Sequence, residues 1–214
     1  MQIYWHGYSS IRIESKNGTM SSMLVTDPYE NESSLRFPRT LDPDVVVLSH
    51  QDQKRFNTKA FTNKPFLIAD PGEYEVKGVF VDGIQDPAVD EGTERPVIHR
   101  MITENISIAF LGQLNRKPTN IELEKMENID ILILPVGGGS VLDDEKAADI
   151  IGVIEPRVVI PMYYAIPGIK QKLGSVDAFC KHLGTCQRED VNKLKIQRKD
   201  LPADTVLVAV LERS

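Results

Sequence analysis

Residues 45–56 read VVVLSHQDQKRF, an apolar run from Val45 to Leu48 that passes directly into Ser49, His50, Gln51, Asp52, Gln53, Lys54 and Arg55. A short β-branched run without alternating polar residues predicts a strand buried on both faces, in the interior of a layered sheet. The loop that leaves such a strand emerges at the rim of the core, where binding and catalytic groups are commonly carried. This loop offers a histidine and a carboxylate beside two cations. That mixture suits an active site, a metal site or a remnant of one.

Working outward, the first half reads as short strands: 2–6, 10–15, 23–27, 45–49 and 65–69, each bounded by Gly, Asn, Asp or Pro. YEVKGVFVDGI (74–84) predicts a strand pair with a tight bend, and 97–103 with 107–111 a second pair joined at Glu104-Asn105. Thr119 and Glu122 have the spacing of a capping box for a helix running to Met126. In 143–154 the residues Ala147, Ile150, Ile151 and Ile154 form one apolar stripe, and Pro156 follows it. Strands at 131–136 and 157–162 flank that helix, which predicts a right-handed parallel βαβ unit. Ser175 caps a last helix with the stripe Val176, Phe179, Cys180 and Leu183, ended by Gly184. Residues 195–198 and 205–211 are expected to pair as the closing strands.

The chain has 214 residues, 41% hydrophobic and 26% charged, ordinary values for a packed domain, and 1–214 reads as a single one. A net charge of −6 argues against nucleic acid as a partner. No signal peptide is visible and no apolar run is long enough to span a bilayer, so a cytoplasmic protein without membrane contact is expected. The spacing of Cys180 and Cys186 permits a local bridge. However, Cys180 belongs to a helix stripe, so two thiols in a reducing compartment are expected.

Seven segments, in order, carry a resemblance: Gly7-Tyr8-Ser9-Ser10, Thr26-Asp27-Pro28, VVVLSH, PGEYEVKGV (71–79), FLGQL (110–114), ILPVGGG (133–139) and VVIPMYY (158–164). Together they resemble the metallo-β-lactamase fold, in the bacterial branch of Zn-dependent hydrolases related to the ascorbate-phosphate lactonases. The resemblance covers nearly the whole chain. It implies an α/β protein, a four-layer αββα sandwich, with the site at one edge where strand-end loops converge. It also implies a dinuclear zinc loop of the pattern His-x-His-x-Asp-His. Here His50 keeps the first place, while Asp52, Lys54 and Arg55 stand for the second histidine, the aspartate and the last histidine. Gln113 stands where the family has a bridging aspartate, and Tyr163 where it has the histidine of Pro-Met-His-Tyr. The histidine that follows the Gly-Ile turn is absent from 85–92.

Zinc takes neutral imidazole, thiolate or carboxylate, and lysine and arginine repel it. The expectation is therefore a vestigial pocket of His50, Asp52, Lys54, Arg55, Gln113 and Tyr163 without a cofactor. The alternative is one Zn or other divalent ion held by His50 and Asp52. Lys54 and Arg55 are expected either to replace the metal charge, paired with Asp52 or an exposed-loop Asp86, or to face water. Gly137, Gly138 and Gly139, between a strand and a helix, offer backbone amides to an anion but lack a P-loop ending. His6 reads as a structural or rim histidine, and His99 and His182 as solvated. Glu73 and Glu75 share a face that reads as solvated, and no nucleophile elbow is present. The expected function is a binding or assembly protein for a small anionic ligand, open to homo-oligomerisation. The alternative is a lactonase- or phosphodiesterase-like hydrolase with a remodelled, mononuclear site.

Overall fold

The computed structural model describes residues 1–31, 35–89, 96–184 and 186–214. The strand signalled by VVVL occupies Val45–Val47 (β4). Successive side chains of a strand point to opposite faces, and here both faces are buried. Val45 and Val47 join the large core between the two sheets, whereas Val46 and Leu48 join a second cluster on the outer face.

β4 lies in a six-stranded sheet with Gln2–Gly7 (β1), Ser10–Asn17 (β2), Met20–Thr26 (β3), Phe66–Ile68 (β5) and Leu194–Lys195 (β13). The strand order is β13-β1-β2-β3-β4-β5, and β4 runs parallel to both β3 and β5. The second sheet has eight strands. They are Gly72–Val76 (β6), Val79–Ile84 (β7), Ile98–Thr103 (β8), Ile106–Phe110 (β9), Ile131–Pro135 (β10), Val158–Met162 (β11), Gln187–Val191 (β12) and Leu207–Leu211 (β14). Their order is β12-β14-β11-β10-β9-β8-β7-β6. The predicted hairpins are present, and Glu104 and Asn105 both adopt left-handed backbone at the β8–β9 turn. That conformation matches the twist of paired strands.

Inward-facing residues of both sheets, among them Ile3, Trp5, Ile11, Met101, Ile108, Phe110 and Ile133, fill one continuous core. Each such apolar side chain contributes about 1.5–3 kcal/mol relative to exposure. Asn120–Lys125 (α1) begins with the predicted capping box of Thr119 and Glu122. Asp144–Ile154 (α2) joins β10 to the parallel β11, and its stripe buries Ala147, Ile150 and Ile151. Val176–His182 (α3) packs against α2. The outer face of the first sheet is covered differently. Phe37, Leu41, Phe56 and Phe61 pack there on Val25, Val46, Leu48 and Ala69, and 3-10 turns at Gln53–Arg55 and Thr58–Ala60 lie in this layer.

Several expectations change. The two closing strands do not pair: β13 adds to β1, while β14 lies between β11 and β12 in the other sheet. β12 was not foreseen, because QREDV is exposed along most of its length and carries no alternation. Cys180 and Cys186 form a disulfide, with Cα atoms 5.4 Å apart, that ties α3 to the approach to β12. His99 is fully buried on β8, where it pairs with Phe110 and Gly83, and burial lowers its pKa to about 3. Asp86 is buried as well: its carboxylate accepts from the Ala88 amide and its own amide donates to Glu122 on α1. No helix among the described residues is long and apolar enough to cross a membrane.

Gly152, exposed on α2, has no atom within 4 Å of the place a Cβ would take. Gly152→Ala is therefore expected to stabilise the protein by about 0.5–1 kcal/mol, read as a higher denaturation midpoint.

Candidate functional site at the converging strand ends

Four strands deliver their carboxyl ends to one rim: β3 and β4 from the first sheet, β9 and β11 from the second. Parallel strands present their following loops together, which is where open sheets place ligands. The β1–β2 turn is fastened to the same place. Thr26 Oγ1 donates to Ser9 O at 2.7 Å and accepts from the Ile11 amide at 2.9 Å, while Ser10 Oγ donates to Thr26 O.

Asp27 follows β3, and its carboxylate is almost fully buried. Oδ1 accepts from the Ser49 amide at 2.7 Å and Oδ2 from Ser49 Oγ at 2.5 Å. Burial pushes its pKa up to about 6, although the hydrogen bonds from Ser49 and Ser9 and the charge of Arg55 oppose that shift. Gln113, after β9, donates its backbone N–H to Ser49 Oγ at 3.2 Å and its side-chain amide to Ser9 Oγ at 3.3 Å. Arg55 Nη2 lies 3.5 Å from Gln113 Oε1, a long contact. Tyr163, after β11, donates its amide to Tyr8 O at 3.1 Å and stacks on the Tyr8 ring at 5.2 Å between centroids.

Tyr8, Ser9, Asp27, Arg55, Gln113 and Tyr163 line a cleft of about 430 Å³ with Tyr29, Glu30, Phe56, Ser140 and Gln171. Tyr8, Asp27 and Tyr163 all hold positive φ, at 47°, 38° and 55°. Such backbone costs about 1–3 kcal/mol per residue and gathers at functional sites. Three strained non-glycine residues on one cleft mark it as the candidate site.

The structure brings Arg55, Gln113 and Tyr163 to this cleft. His50 lines an adjoining cleft of about 180 Å³, which shares Arg55, Gln113 and Ser140 with the first. His50 is buried, and its Nδ1 accepts from the Asp52 amide at 2.9 Å. Asp52 and Lys54 line neither cleft. Both are exposed, and the Asp52 carboxylate caps the 3-10 turn by accepting from the Lys54 amide at 3.1 Å. The sequence reading passed over Asp27, Ser49 and Ser9. Asp27 stood inside a quoted segment, and the signal for it was an acidic residue at a strand end just before proline.

The glycine loop is occupied by its own fold. Gly138 N–H donates to Leu142 O and Gly137 O accepts from Gly174 N–H. A Cβ on Gly137 would lie 2.2 Å from Tyr163 O, so its glycine permits close packing of β10 and β11 ends. The start of α2 is already capped by Asp143, whose Oδ1 accepts from the Lys146 amide. Among the remaining histidines, His6 is buried against Ser214, and burial lowers its pKa to about 4. His182 is exposed, 3.0 Å from Asp144. Glu73 and Glu75 lie exposed on β6 as expected. Residues 90–92 of the stretch without a histidine lie outside the described residues.

Residues 2–163 match the family model of the β-lactamase superfamily domain. The chain belongs to the metallo-β-lactamase superfamily. A UPF0173 protein of Pyrococcus abyssi is 25% identical over 209 residues, covering 86% of this chain and 90% of that protein. A UPF0173 metal-dependent hydrolase of Methanosarcina mazei is 22% identical, covering 77% of this chain and 83% of its own length. The crystal structure of a Thermotoga maritima protein, described provisionally as a Zn-dependent hydrolase of the metallo-β-lactamase superfamily, superposes with a TM-score of 0.78. It shares 26% identity and covers 99% of this chain and 100% of its own.

These names correct two expectations. Metal-dependent hydrolase relatives imply a divalent cation as cofactor, which overturns the reading without one. They also back the hydrolase alternative over a binding or assembly protein. The residues described for this chain do not by themselves fit the family's zinc shell. No group of three or more His, Cys, Asp or Glu side chains converges among the described residues. Both Asp27 oxygens are engaged by Ser49, and an arginine stands beside Gln113.

Proposed function

We propose that this chain is a hydrolase of the superfamily with a remodelled centre, acting on a small anionic ester in the cleft of Asp27 and Arg55. The reading rests above all on Asp27, a buried carboxylate with a pKa near 6 on a strained cleft wall. A base poised near the working pH combines a large ionised fraction with useful basicity. In this reading a water forms a bond to the acyl or phosphoryl centre and passes a proton to Asp27. The C–O or P–O ester bond then breaks, and the leaving alkoxide takes the proton from Asp27 and departs as the alcohol, which returns Asp27 to its carboxylate form. Arg55 supplies positive charge for the anionic group. Gln113, Ser9 and Ser49 hold Asp27 and the opposite wall in register.

The test is a hydrolysis panel of 4-nitrophenyl carboxylate and phosphate esters, run with a chelator and then with added zinc or manganese. Turnover of at least one ester is the expected result, and its loss on chelation and return with metal would add a divalent cation, as the names of the metal-dependent relatives imply, to the roles of Asp27 and Arg55. No turnover of any ester under either condition would sink the hydrolase reading and leave anion binding as the role of the cleft.

A further inference from the structure

Two hydroxyls reach the Asp27 carboxylate, and they differ in what lies in front of them. Ser49 Oγ donates to Oδ2 at 2.5 Å, but Ser49 is fully buried and lines neither cleft of the site. Ser9 also hydrogen-bonds to Asp27, and it lines the 430 Å³ cleft. Ser9 Oγ accepts from the Gln113 side-chain amide at 3.3 Å, which leaves its own proton for Asp27. The main chain fixes it there: Tyr8, just before it, holds φ 47°, and Thr26 Oγ1 donates to Ser9 O at 2.7 Å. A hydroxyl bonded to a carboxylate base on a cleft wall is the arrangement of an activated nucleophile. It needs no converging ligand set of the kind that metal-activated water requires, and no group of three or more His, Cys, Asp or Glu converges among the described residues.

We propose that Ser9 is the catalytic nucleophile, and that its Oγ carries the acyl or phosphoryl group as a covalent intermediate. Ser9 Oγ forms a bond to the carbonyl carbon or phosphorus while its proton passes to Asp27. The bond to the leaving oxygen breaks, and the alkoxide takes that proton and departs as the alcohol. Water then bonds to the same centre and gives a proton to Asp27. The bond to Oγ breaks, and Ser9 takes the proton back. The sum is one ester and one water giving one acid and one alcohol. Arg55, on the same cleft, supplies positive charge for the oxyanion of both halves. This inference rests on the proposed role of Asp27 as base, and it places the water attack of that reading in the second half.

The experiment treats the full chain with diisopropyl fluorophosphate, locates the label by peptide mass mapping, and follows 4-nitrophenyl acetate for an initial burst. Ser9 is expected to carry the phosphoryl label, and the burst to amount to about one nitrophenolate per chain. Ser9→Ala is expected to lose both. Asp27→Asn keeps an acceptor for the Ser49 amide but no base, and is expected to label about 10²-fold more slowly. The absence of label on Ser9 overturns the proposal. Esters still turned over in that case would make water the sole nucleophile and leave the hydrolase reading standing. Label on Ser9 without turnover of any ester would do the reverse, keeping the nucleophile and rejecting the hydrolase.

Discussion

Gly112→Ala is expected to destabilise the protein by more than about 4 kcal/mol, in the range where one substitution removes much of a domain's stability. Gly112 holds φ +56, and an ideal Cβ there would stand 1.9 Å from Ser49 Cβ and 3.3 Å from Ser49 Cα. Rotation of a flexible side-chain end cannot relieve that overlap, because Ser49 is fully buried and its amide and hydroxyl are both held by Asp27. Either the β9 end or the β4 end must move, and with it the cleft. Chemical denaturation of Gly112→Ala beside Gly152→Ala measures the effect against a substitution with open space around it. A loss below about 1 kcal/mol would mean that the two strand ends are not locked together as described.

Asp27→Asn is expected to separate stability from activity. Burial raises the carboxyl pKa from about 3.8 to about 6, so the folded state holds its proton more tightly than the unfolded chain. The contribution of Asp27 to stability is then greatest below pH ~4, falls as pH rises toward ~6, and stays as a constant penalty above that. The penalty is on the order of 3 kcal/mol at neutral pH. Asparagine removes the charge, tolerates a positive φ, and can still accept from the Ser49 amide. The variant should therefore unfold at a higher temperature than the parent at pH 8, with the difference shrinking at pH 4. Its ester hydrolysis should drop by about 10²-fold or more, and the parent's rate should fall below pH ~6. A lower melting temperature at pH 8 with unchanged turnover would show Asp27 to be a structural ligand of Ser49 and nothing more.

The fold was readable where pattern and physics coincide. Capping residues Thr119 and Ser175 stand where the sequence put them, as does the α2 stripe. β12 was not readable, because QREDV is held by pairing with β14 rather than by burying a face. The site was readable only in part. The positions of Arg55, Gln113 and Tyr163 follow from strand ends, but the direction of the loop after β4 depends on a 3-10 turn that sends Asp52 and Lys54 outward. Asp27 and Ser49 escaped notice because each is an ordinary polar residue in sequence. Their pairing spans 22 positions and exists only once β3 and β4 lie side by side. His99 shows the same limit, since nothing in its neighbours foretells complete burial of an imidazole.

The cleft draws its walls from both sheets: Asp27 and Ser9 from one, Gln113 and Tyr163 from the other. A compound seated there bridges two layers joined mainly by apolar contact and by the few hydrogen bonds of Gln113 and Tyr163, so its affinity adds to the cohesion of the sandwich. At a free concentration a hundredfold above Kd the gain is about 2.7 kcal/mol. The native substrate can thus be sought without knowing the reaction, by scanning metabolite mixtures for those that delay thermal separation of the layers.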